Sequence, residues 1–295
     1  MEAMVSTHND LVCVEIEGFV GSWSQVKRSR REKMKRAYTD IPEGQIHYRA
    51  EGVGEPLLLL HAAVSSSDGY ARVIPFLSKN YSVIAMDFLG HGESDEAPYP
   101  YQILDHVRTV ISFMDSLDIQ KASVVGNHAG AKVAAELAIT WPQRVNKLVL
   151  SFLGYRPEVG EGISFKDPPN FTSRVEIKSD GSHLNEWWRR AALWGDPPEI
   201  VEERVIEYIK AGSKGEEIHW AADDYNSKLR LPLINCPTLV LTGTRDPFYS
   251  VSVNVKRLVP KSNLTIIENG PISVERVMPK EFAEAILSFL NTPAV

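Results

Sequence analysis

Residues 124–130, VVGNHAG, place one histidine between two glycines at the junction of two predicted elements. The apolar run before it is typical of a buried strand, and the small residues after it predict a helix over 129–140. Glycines at 126 and 130 permit a sharp turn that presents the side chain of residue 128. A neutral imidazole accepts a proton, or attacks a carbonyl, near pH 7 without a separate base. His128 is therefore the first candidate catalytic residue.

The elements around this turn alternate between strands and helices from residue 38 onward. Residues 37–52, AYTDIPEGQIHYRAEG, read as a hairpin with its turn at Pro42–Gly44, and six apolar runs follow, beginning with PLLLLHAA and YSVIAMDF. Helical patterns separate these runs at 69–79, 103–117, 129–140, 250–258 and 279–291. The pattern predicts an α/β fold, with a mostly parallel twisted sheet and helices on both faces.

A stretch of about 75 residues interrupts this alternation with helical, tryptophan-rich sequence. Such an insertion leaves the sheet at the carboxyl end of one strand, where open α/β sheets bind ligands, so it is interpreted as a cap. A peripheral bundle with a purely structural role is the alternative. The predicted organisation is an N-terminal extension (1–37), the first part of the core (38–157), the cap (158–230) and the second part of the core (231–295).

Composition is that of an ordinary globular protein of 295 residues with a formal net charge of −6. No apolar stretch approaches the roughly 18 residues of a spanning helix, and the first residues lack a signal-peptide pattern. Cys13 and Cys236 are too few and too distant for a disulfide framework, which favours a reducing, cytoplasmic compartment. No membrane partner is expected, and the sequence leaves a homodimer open.

A basic run, KRSRREKMKR at 27–36, stands apart from the acidic remainder of the chain. It is interpreted as a solvated helix or arm, because no aromatic interleaving or nucleic-acid motif accompanies it. No nucleic-acid partner is predicted. Metal-ligand spacing, phosphate-binding glycine loops and dinucleotide fingerprints are also missing from the sequence, so no metal or other cofactor is implied and the expected partner is a small-molecule substrate.

Four motifs in order carry a resemblance to a known family. LLLLHAAVSSS (57–67), MDFLGHGESD (86–95), VVGNHAG (124–130) and LTGTRDPF (241–248) resemble the α/β-hydrolase superfamily, in particular its capped branch of epoxide hydrolases, haloalkane dehalogenases and carbon-carbon bond hydrolases. The resemblance covers residues 38–292. It implies oxyanion-hole amides at Ala63 and Ala129 and an orienting acid at Asp246.

Two departures from the family pattern decide the chemistry. His128 replaces the nucleophile, and Pro271 stands where the family has its catalytic histidine. A serine or aspartate nucleophile with a histidine base is therefore excluded at the usual positions. The ring on the elbow is expected to extend toward Asp246 across the space left by Pro271, forming a His128–Asp246 dyad joined directly at about 2.6–3.2 Å or through one water.

Polar and aromatic residues supply candidates for the pocket wall. Aromatic side chains provide apolar walls with a few polar handles. His61 and His91 are expected to shape loops by hydrogen bonding more than to react, and His47 and His106 are expected to be peripheral. The predicted substrate-binding residues are His61, His183, Trp187, Trp188, Trp220 and Tyr225.

The resulting hypothesis is an enzyme acting on a small, largely apolar carbonyl compound. A bulky ring near the oxyanion hole leaves less room for direct attack than a serine does. Proton-transfer reactions are therefore favoured over ester or lactone hydrolysis; they include carbon-carbon cleavage, decarboxylation, elimination, isomerisation and cyclisation. A noncatalytic small-molecule receptor or pseudoenzyme on the same fold is the alternative.

Overall fold

A hairpin at the start of the described chain forms one edge of the sheet. The structure is a computed structural model that describes residues 34–157 and 175–292. Strand β1 (Lys35–Ile41) pairs antiparallel with β2 (Gly44–Glu51), which confirms the predicted hairpin and its turn. Because β1 begins at Lys35, the extension ends before residue 37, and the last two basic residues of the run belong to the sheet. Residues 1–33, with the rest of the basic run, lie outside the described part.

Six further strands, all parallel to one another, continue the sheet and confirm the six apolar runs. They are β3 (Pro56–Leu60), β4 (Ser82–Met86), β5 (Ala122–Asn127), β6 (Val145–Ser151), β7 (Thr238–Gly243) and β8 (Ser262–Ile267). The order across the sheet is β1-β2-β4-β3-β5-β6-β7-β8. The chain leaves β3 toward β4 on one side and returns to β5 on the other, which opens a crevice at their carboxyl ends. The loop 61–66 and residue 128 border this crevice.

Helices cover both faces of the sheet, as predicted. They are α1 (Ile74–Leu77), α2 (Ile103–Ser116), α3 (Ala129–Thr140), α4 (His183–Ala192), α5 (Pro198–Ala211), α6 (Glu217–Asp224), α7 (Ser227–Arg230), α8 (Tyr249–Leu258), α9 (Val274–Val277) and α10 (Pro279–Leu290). Apolar residues of α2, α3 and α8 pack on one face, and those of α1, α9 and α10 pack on the other. None of these helices is both long and apolar enough to cross a membrane.

The helix predicted over 69–79 is instead two short pieces. A 3₁₀ turn (Ser67–Tyr70) comes first, capped by Ser66, whose Oγ accepts from the amide of Asp68. Helix α1 then starts anew with Pro75 in its first turn, a position where the missing amide hydrogen costs nothing. The prediction of one continuous helix was wrong because this first turn is 3₁₀, with amides bonded three residues back, Gly69 to Ser66 and Ala71 to Asp68, and not α-helical.

Helices α4 to α7 occupy the described part of the insertion, where no strand occurs between residues 175 and 230. Apolar residues of α6 join the core cluster that contains α3. Within the insertion, α4 and α5 meet where the rings of Trp187 and Tyr208 lie 5.3 Å apart between centroids. Residues 158–174, the first part of the predicted cap, lie outside the described residues.

Two glycines allow β3, β5 and α3 to approach one another closely. A Cβ on Gly126 would lie 2.3 Å from the carbonyl oxygen of Gly130, and a Cβ on Gly130 would lie 2.4 Å from those of Leu60 and His61. Real Cβ atoms do not come this near to backbone oxygens. The start of α3 therefore lies directly against the end of β3.

Gly130→Ala is expected to destabilise the protein by about 3 kcal/mol or more, because backbone atoms must shift to admit the methyl group. The control is Gly181→Ala, which meets no atom within 4 Å and carries only the cost of its positive φ, about 1–2 kcal/mol. Urea unfolding of both variants measures the difference. Equal losses in the two variants would show that the close approach at Gly130 does not matter to stability.

Candidate functional site

Residue 128 occupies a strained turn between β5 and α3. Its backbone has φ +49° and ψ −110°, which is uncommon for a residue other than glycine. The amide of His128 donates to the carbonyl of Ser151 at 3.0 Å, and its carbonyl accepts from the amide of Ala131. Strain of this kind persists only where the surroundings hold it, and it is frequent at functional sites. The predicted elbow is confirmed.

The imidazole of His128 is neutral and has a defined tautomer. Its Nε2 lies 3.3 Å from the carbonyl oxygen of Ile272. Because a carbonyl only accepts, Nε2 carries the hydrogen, and the lone pair is on Nδ1. Among the described residues Nδ1 has no hydrogen-bond partner, and the side chain is only partly buried. The ring also packs beside Phe152, with centroids 5.6 Å apart.

Burial controls the protonation of this ring. Desolvation lowers the pKa of His128 to about 4, against the opposing effect of the Ile272 carbonyl. The positive charge of Arg204 lowers the pKa further, as do His219 and Lys132. At pH 7 the site therefore presents a neutral base.

Asp246 lies at the predicted place after β7 and is buried, with 4% of its surface exposed. Its Oδ1 accepts from the amide of Phe248 at 3.0 Å, whereas Oδ2 has no hydrogen-bond partner within the described ranges. Burial raises the pKa of this carboxyl to about 7. Asp246 is thus a buried acid with one free oxygen.

The direct form of the predicted dyad is absent: no hydrogen bond joins His128 to Asp246 among the described residues. Residue 272, one position after Pro271, supplies the carbonyl that holds Nε2 instead. The expectation of a direct bond was wrong: the Ile272 carbonyl binds the Nε2 hydrogen, and Nδ1 has no partner among the described residues. Pro271 is itself buried, beside the close backbone contact of Gly243 with Gly270.

The two predicted oxyanion amides belong to the two segments that border the crevice. Ala129 is the first residue of α3, and Ala63 lies in the loop after β3. Neither amide donates to another residue in the described part of the chain. The first amides of a helix also carry the positive end of its dipole. Both donors are therefore available to a ligand, as an oxyanion hole requires.

His61 serves the structure of this loop, so its assignment to substrate binding is corrected. Its Nε2 accepts from the amide of Phe88 at 3.0 Å, which leaves Nδ1 to donate to the carbonyl of Ala62 at 2.7 Å. The ring is 1% exposed, and burial lowers its pKa to about 3. Both ring nitrogens are occupied by backbone, the loop-shaping role that the sequence also suggested.

Three other histidines are buried rather than reactive. His91 lies between the carbonyls of Leu89 and Gly215, at 3.2 Å from each. His47 and His106, expected to be peripheral, are 3% and 4% exposed. His47 pairs with Asp87 at 2.8 Å, so this part of the prediction was wrong.

Several insertion residues predicted to bind substrate have structural contacts. Trp187 is buried against Tyr208 and beneath Arg190. The hydroxyl of Tyr225 donates to Glu136 on α3. These side chains fasten the insertion to itself and to α3, which corrects their assignment.

The remaining three predicted residues differ in exposure. Trp188 is 43% exposed on the surface of α4. His183, at the start of α4, accepts from the exposed amide of Lys178. These contacts place His183 and Trp188 at the surface of α4. Trp220 is half-buried on α6, so its predicted role in binding stays a prediction.

A polar cluster that the sequence analysis missed joins the insertion to the loop carrying the Ile272 carbonyl. Arg204 on α5 donates to Asp196 at 3.1 Å and to the hydroxyl of Tyr208 at 3.0 Å. Asp196 also accepts from Ser273 at 2.7 Å, in the loop that carries the Ile272 carbonyl. Charged residues at helical spacing mark a polar face in the sequence, and nothing in that pattern indicates that the face is buried.

A second missed feature is the polar stripe on α3. His128, Lys132 and Glu136 are spaced four residues apart, so they share one side of the helix. Lys132 donates to the carbonyl of Ala222 at 2.7 Å, and Glu136 accepts from Arg230 at 2.6 Å. The spacing was visible in the sequence. Within the described residues, no three His, Cys, Asp or Glu side chains group as metal ligands do.

Comparisons with known proteins agree with this architecture. A family model described as "alpha/beta hydrolase fold" matches residues 55–271. The chain is 25% identical to (E)-2-((N-methylformamido)methylene)succinate hydrolase of Acinetobacter baylyi, over 83% of this chain and 94% of that protein. It is 34% identical to 2-hydroxy-6-oxo-6-phenylhexa-2,4-dienoate hydrolase of Comamonas testosteroni, over 74% and 80%.

Solved structures show the same fold. The enol-lactonase from Burkholderia xenovorans LB400 superposes with a TM-score of 0.72 at 20% identity, covering 87% of this chain and all of that one. A meta-cleavage product hydrolase from Pseudomonas fluorescens IP01 gives a TM-score of 0.71 at 22% identity, with 86% and 97% covered. At these identities the likeness concerns the fold alone.

The raised pKa of Asp246 predicts a pH-dependent stability. The folded value, about 7, exceeds the ordinary 3.8, so the stabilisation present below about pH 4 is lost as the pH rises to 7. Between pH 4 and pH 8, the free energy of unfolding of Asp246→Asn is expected to rise by about 2–4 kcal/mol relative to that of the wild type. Urea unfolding at pH 4, 6 and 8 measures this, with the exposed Asp224→Asn as the control. A stability difference that stays constant across this range would show that Asp246 is ionised throughout.

Proposed function

The chain belongs to the α/β-hydrolase family and is an enzyme, and we propose that it hydrolyses a carbon-carbon bond next to a carbonyl in a small unsaturated carboxylate. His128 serves as the base in this reaction. One observation carries the proposal: the Ile272 carbonyl holds the hydrogen of Nε2, which leaves the Nδ1 lone pair free at the elbow.

The site supports a water-activated reaction better than direct attack by the ring. The imidazole of His128 already fills the elbow position, and its backbone strain fixes where the ring begins. A water between Nδ1 and the substrate carbonyl needs no movement of the ring. Its proton passes to Nδ1 while the oxygen attacks the carbonyl carbon.

The charge that develops on the carbonyl oxygen is met by the amides of Ala63 and Ala129. Collapse of the tetrahedral intermediate breaks the carbon-carbon bond, and the electron pair leaves on the carbon, where unsaturation delocalises it. The imidazolium of His128 returns the proton to that carbon, which regenerates the neutral base. One water is consumed, and the products are a carboxylic acid and a protonated fragment.

Asp246 is assigned to a water rather than to the ring, because Nε2 is held by the Ile272 carbonyl and Nδ1 faces the reacting water. Its Oδ2 has no partner among the residues described and is free to bind that same water, so the water-bridged form of the predicted dyad runs through the water that Nδ1 activates. A carboxyl with a pKa near 7 exchanges protons readily at neutral pH. Asp246 is therefore assigned to the proton path rather than to direct orientation of the ring.

The substrate class follows from Arg204 and from the relatives. The names of both relatives describe acids, a succinate and a dienoate. Arg204 comes from the insertion, its side chain is 14% exposed, and its positive charge adds to the effect of burial in lowering the pKa of His128. Guanidinium groups bind carboxylates through paired hydrogen bonds. We assign the substrate carboxylate to Arg204.

His128→Ala is expected to lower kcat by about 10²–10⁴-fold, the usual contribution of a general base. The wild-type kcat should fall below about pH 5, because protonation of His128 with a pKa of about 4 removes the base. Turnover is followed with the dienoate and the succinate named in the two relatives.

A wild type that binds these acids tightly without turnover would support the receptor alternative. Retained activity in a folded His128→Ala variant would remove the base from the proposal. A matched comparison restores the family's nucleophile and base. The double variant His128→Ser with Pro271→His should hydrolyse 4-nitrophenyl acetate and react with a fluorophosphonate. The single variant His128→Ser should do neither well, because it lacks the base. An equally active single variant would reveal another base.

Arg204→Gln is expected to raise KM for a carboxylate substrate at least about 10-fold, the loss of one charge-assisted pair, and to leave KM for its methyl ester unchanged. Arg189→Gln, on the exposed side of α4, is the control. Steady-state kinetics on the acid and the ester separate binding from folding. Equal changes for both substrates would show that Arg204 acts through the insertion's structure alone.

A further inference from the structure

The loop that carries the Ala63 amide is strained. Val64, the next residue, has φ +51°, and a β-branched side chain at positive φ is a clear outlier. Val64 is also almost fully buried. A backbone held in such a conformation relaxes unless its surroundings determine it. The contacts of this loop therefore decide whether its amide points correctly.

A carboxylate of the insertion holds the loop. Glu207, on α5, accepts from the hydroxyl of Ser66 at 2.7 Å and from that of Ser65 at 3.3 Å. The two serines follow Ala63 by two and three residues. Glu207 is 8% exposed, so these bonds are shielded from water and their geometry is well defined.

A buried arginine holds the carboxylate in turn. Arg276, on α9, donates to Glu207 at 2.6 Å and to Glu203 at 2.9 Å. It is 4% exposed and lies 3.4 Å from the hydroxyl of Ser65. The core thus supplies the cation and the serines, and α5 supplies the anion that joins them.

We propose that Glu207 is a positioning residue, which fixes the loop 63–66 so that the Ala63 amide is aimed at the substrate only while α5 lies against the core. This inference rests on the proposed function, because that function assigns the oxyanion role to Ala63. Substrate binding under the insertion and assembly of the oxyanion hole are then one event.

Other contacts act in the same direction. Gly215, after α5, approaches Val64 so closely that a Cβ there would lie 3.3 Å from the valine side chain. On the opposite loop, Asp196 of the insertion accepts from Ser273, next to the Ile272 carbonyl that orients His128. The insertion therefore contacts both loops that complete the site.

The test combines hydrogen exchange with kinetics in Glu207→Ala, Glu207→Gln and a matched control. The control is Glu203→Ala, one turn earlier on α5, which contacts Arg276 and Arg72 but neither serine. In Glu207→Ala the peptide covering 61–67 should exchange at least about 10-fold faster, while peptides of β5 and β6 exchange at the wild-type rate. In Glu203→Ala the 61–67 peptide should keep the wild-type rate.

On the dienoate of the Comamonas relative, Glu207→Ala should lose about 10- to 100-fold in kcat, short of the loss of a whole oxyanion donor, with KM changed less than about 3-fold. Glu207→Gln retains an acceptor for Ser66 and should recover most of kcat. If Glu207→Ala does not fold, Ser65→Ala with Ser66→Ala removes the bonds to Glu207, together with the Ser66 cap of the 3₁₀ turn, and leaves the Glu207–Arg276 pair in place.

The two readouts separate the two proposals. If the 61–67 peptide exchanges faster in Glu207→Ala but the wild type turns over none of the acids, the positioning role of Glu207 is supported and the proposed reaction is rejected. If the wild type is active but folded Glu207→Ala shows unchanged exchange and unchanged kcat, the positioning role of Glu207 is rejected and the proposed reaction is not. Equal effects in Glu203→Ala would also reject the positioning role, because that residue does not contact the loop.

Discussion

The close backbone contact at Gly126 and Gly130 is the constraint on which the site depends. It brings the start of α3 against the end of β3, with no room for a side chain between them. The amide of Ala129 and the loop that carries Ala63 are neighbours for this reason. The same contact imposes the strained turn that presents residue 128, whatever its side chain.

Burial, more than a neighbouring charge, sets the pKa values of His128 and Asp246. A family triad places a negative acid beside a histidine, which favours the protonated ring. Here desolvation lowers the pKa of His128 to about 4 and raises the pKa of Asp246 to about 7. The Ile272 carbonyl supplies the orientation that the acid supplies in the usual arrangement.

The insertion is joined to the core through buried polar groups as well as apolar packing. Lys132 and Glu136 bind its last helices, and Glu207 and Asp196 bind the two loops beside the elbow. Buried polar networks are stable only when each member keeps its partners, so they specify one position more sharply than apolar surfaces do. Because polar groups join the insertion to the core, aromatic residues expected to bind substrate, such as Trp187, pack within the insertion instead.

The sequence by itself determined the hairpin, the six parallel strands and the elbow glycines on either side of His128, because each depends on local periodicity or on one residue's chemistry. Tertiary structure decided which atoms meet. Ser66 and Glu207 are 141 residues apart, the Nε2 hydrogen of His128 goes to the Ile272 carbonyl, and Oδ2 of Asp246 has no partner among the described residues. From hydrophobic periodicity, polar and charged residues are expected to face solvent. His47 and His106 were therefore expected at the periphery, and the burial of the Arg204 side chain was not predicted. Their burial depends on partners that the fold brings from distant segments.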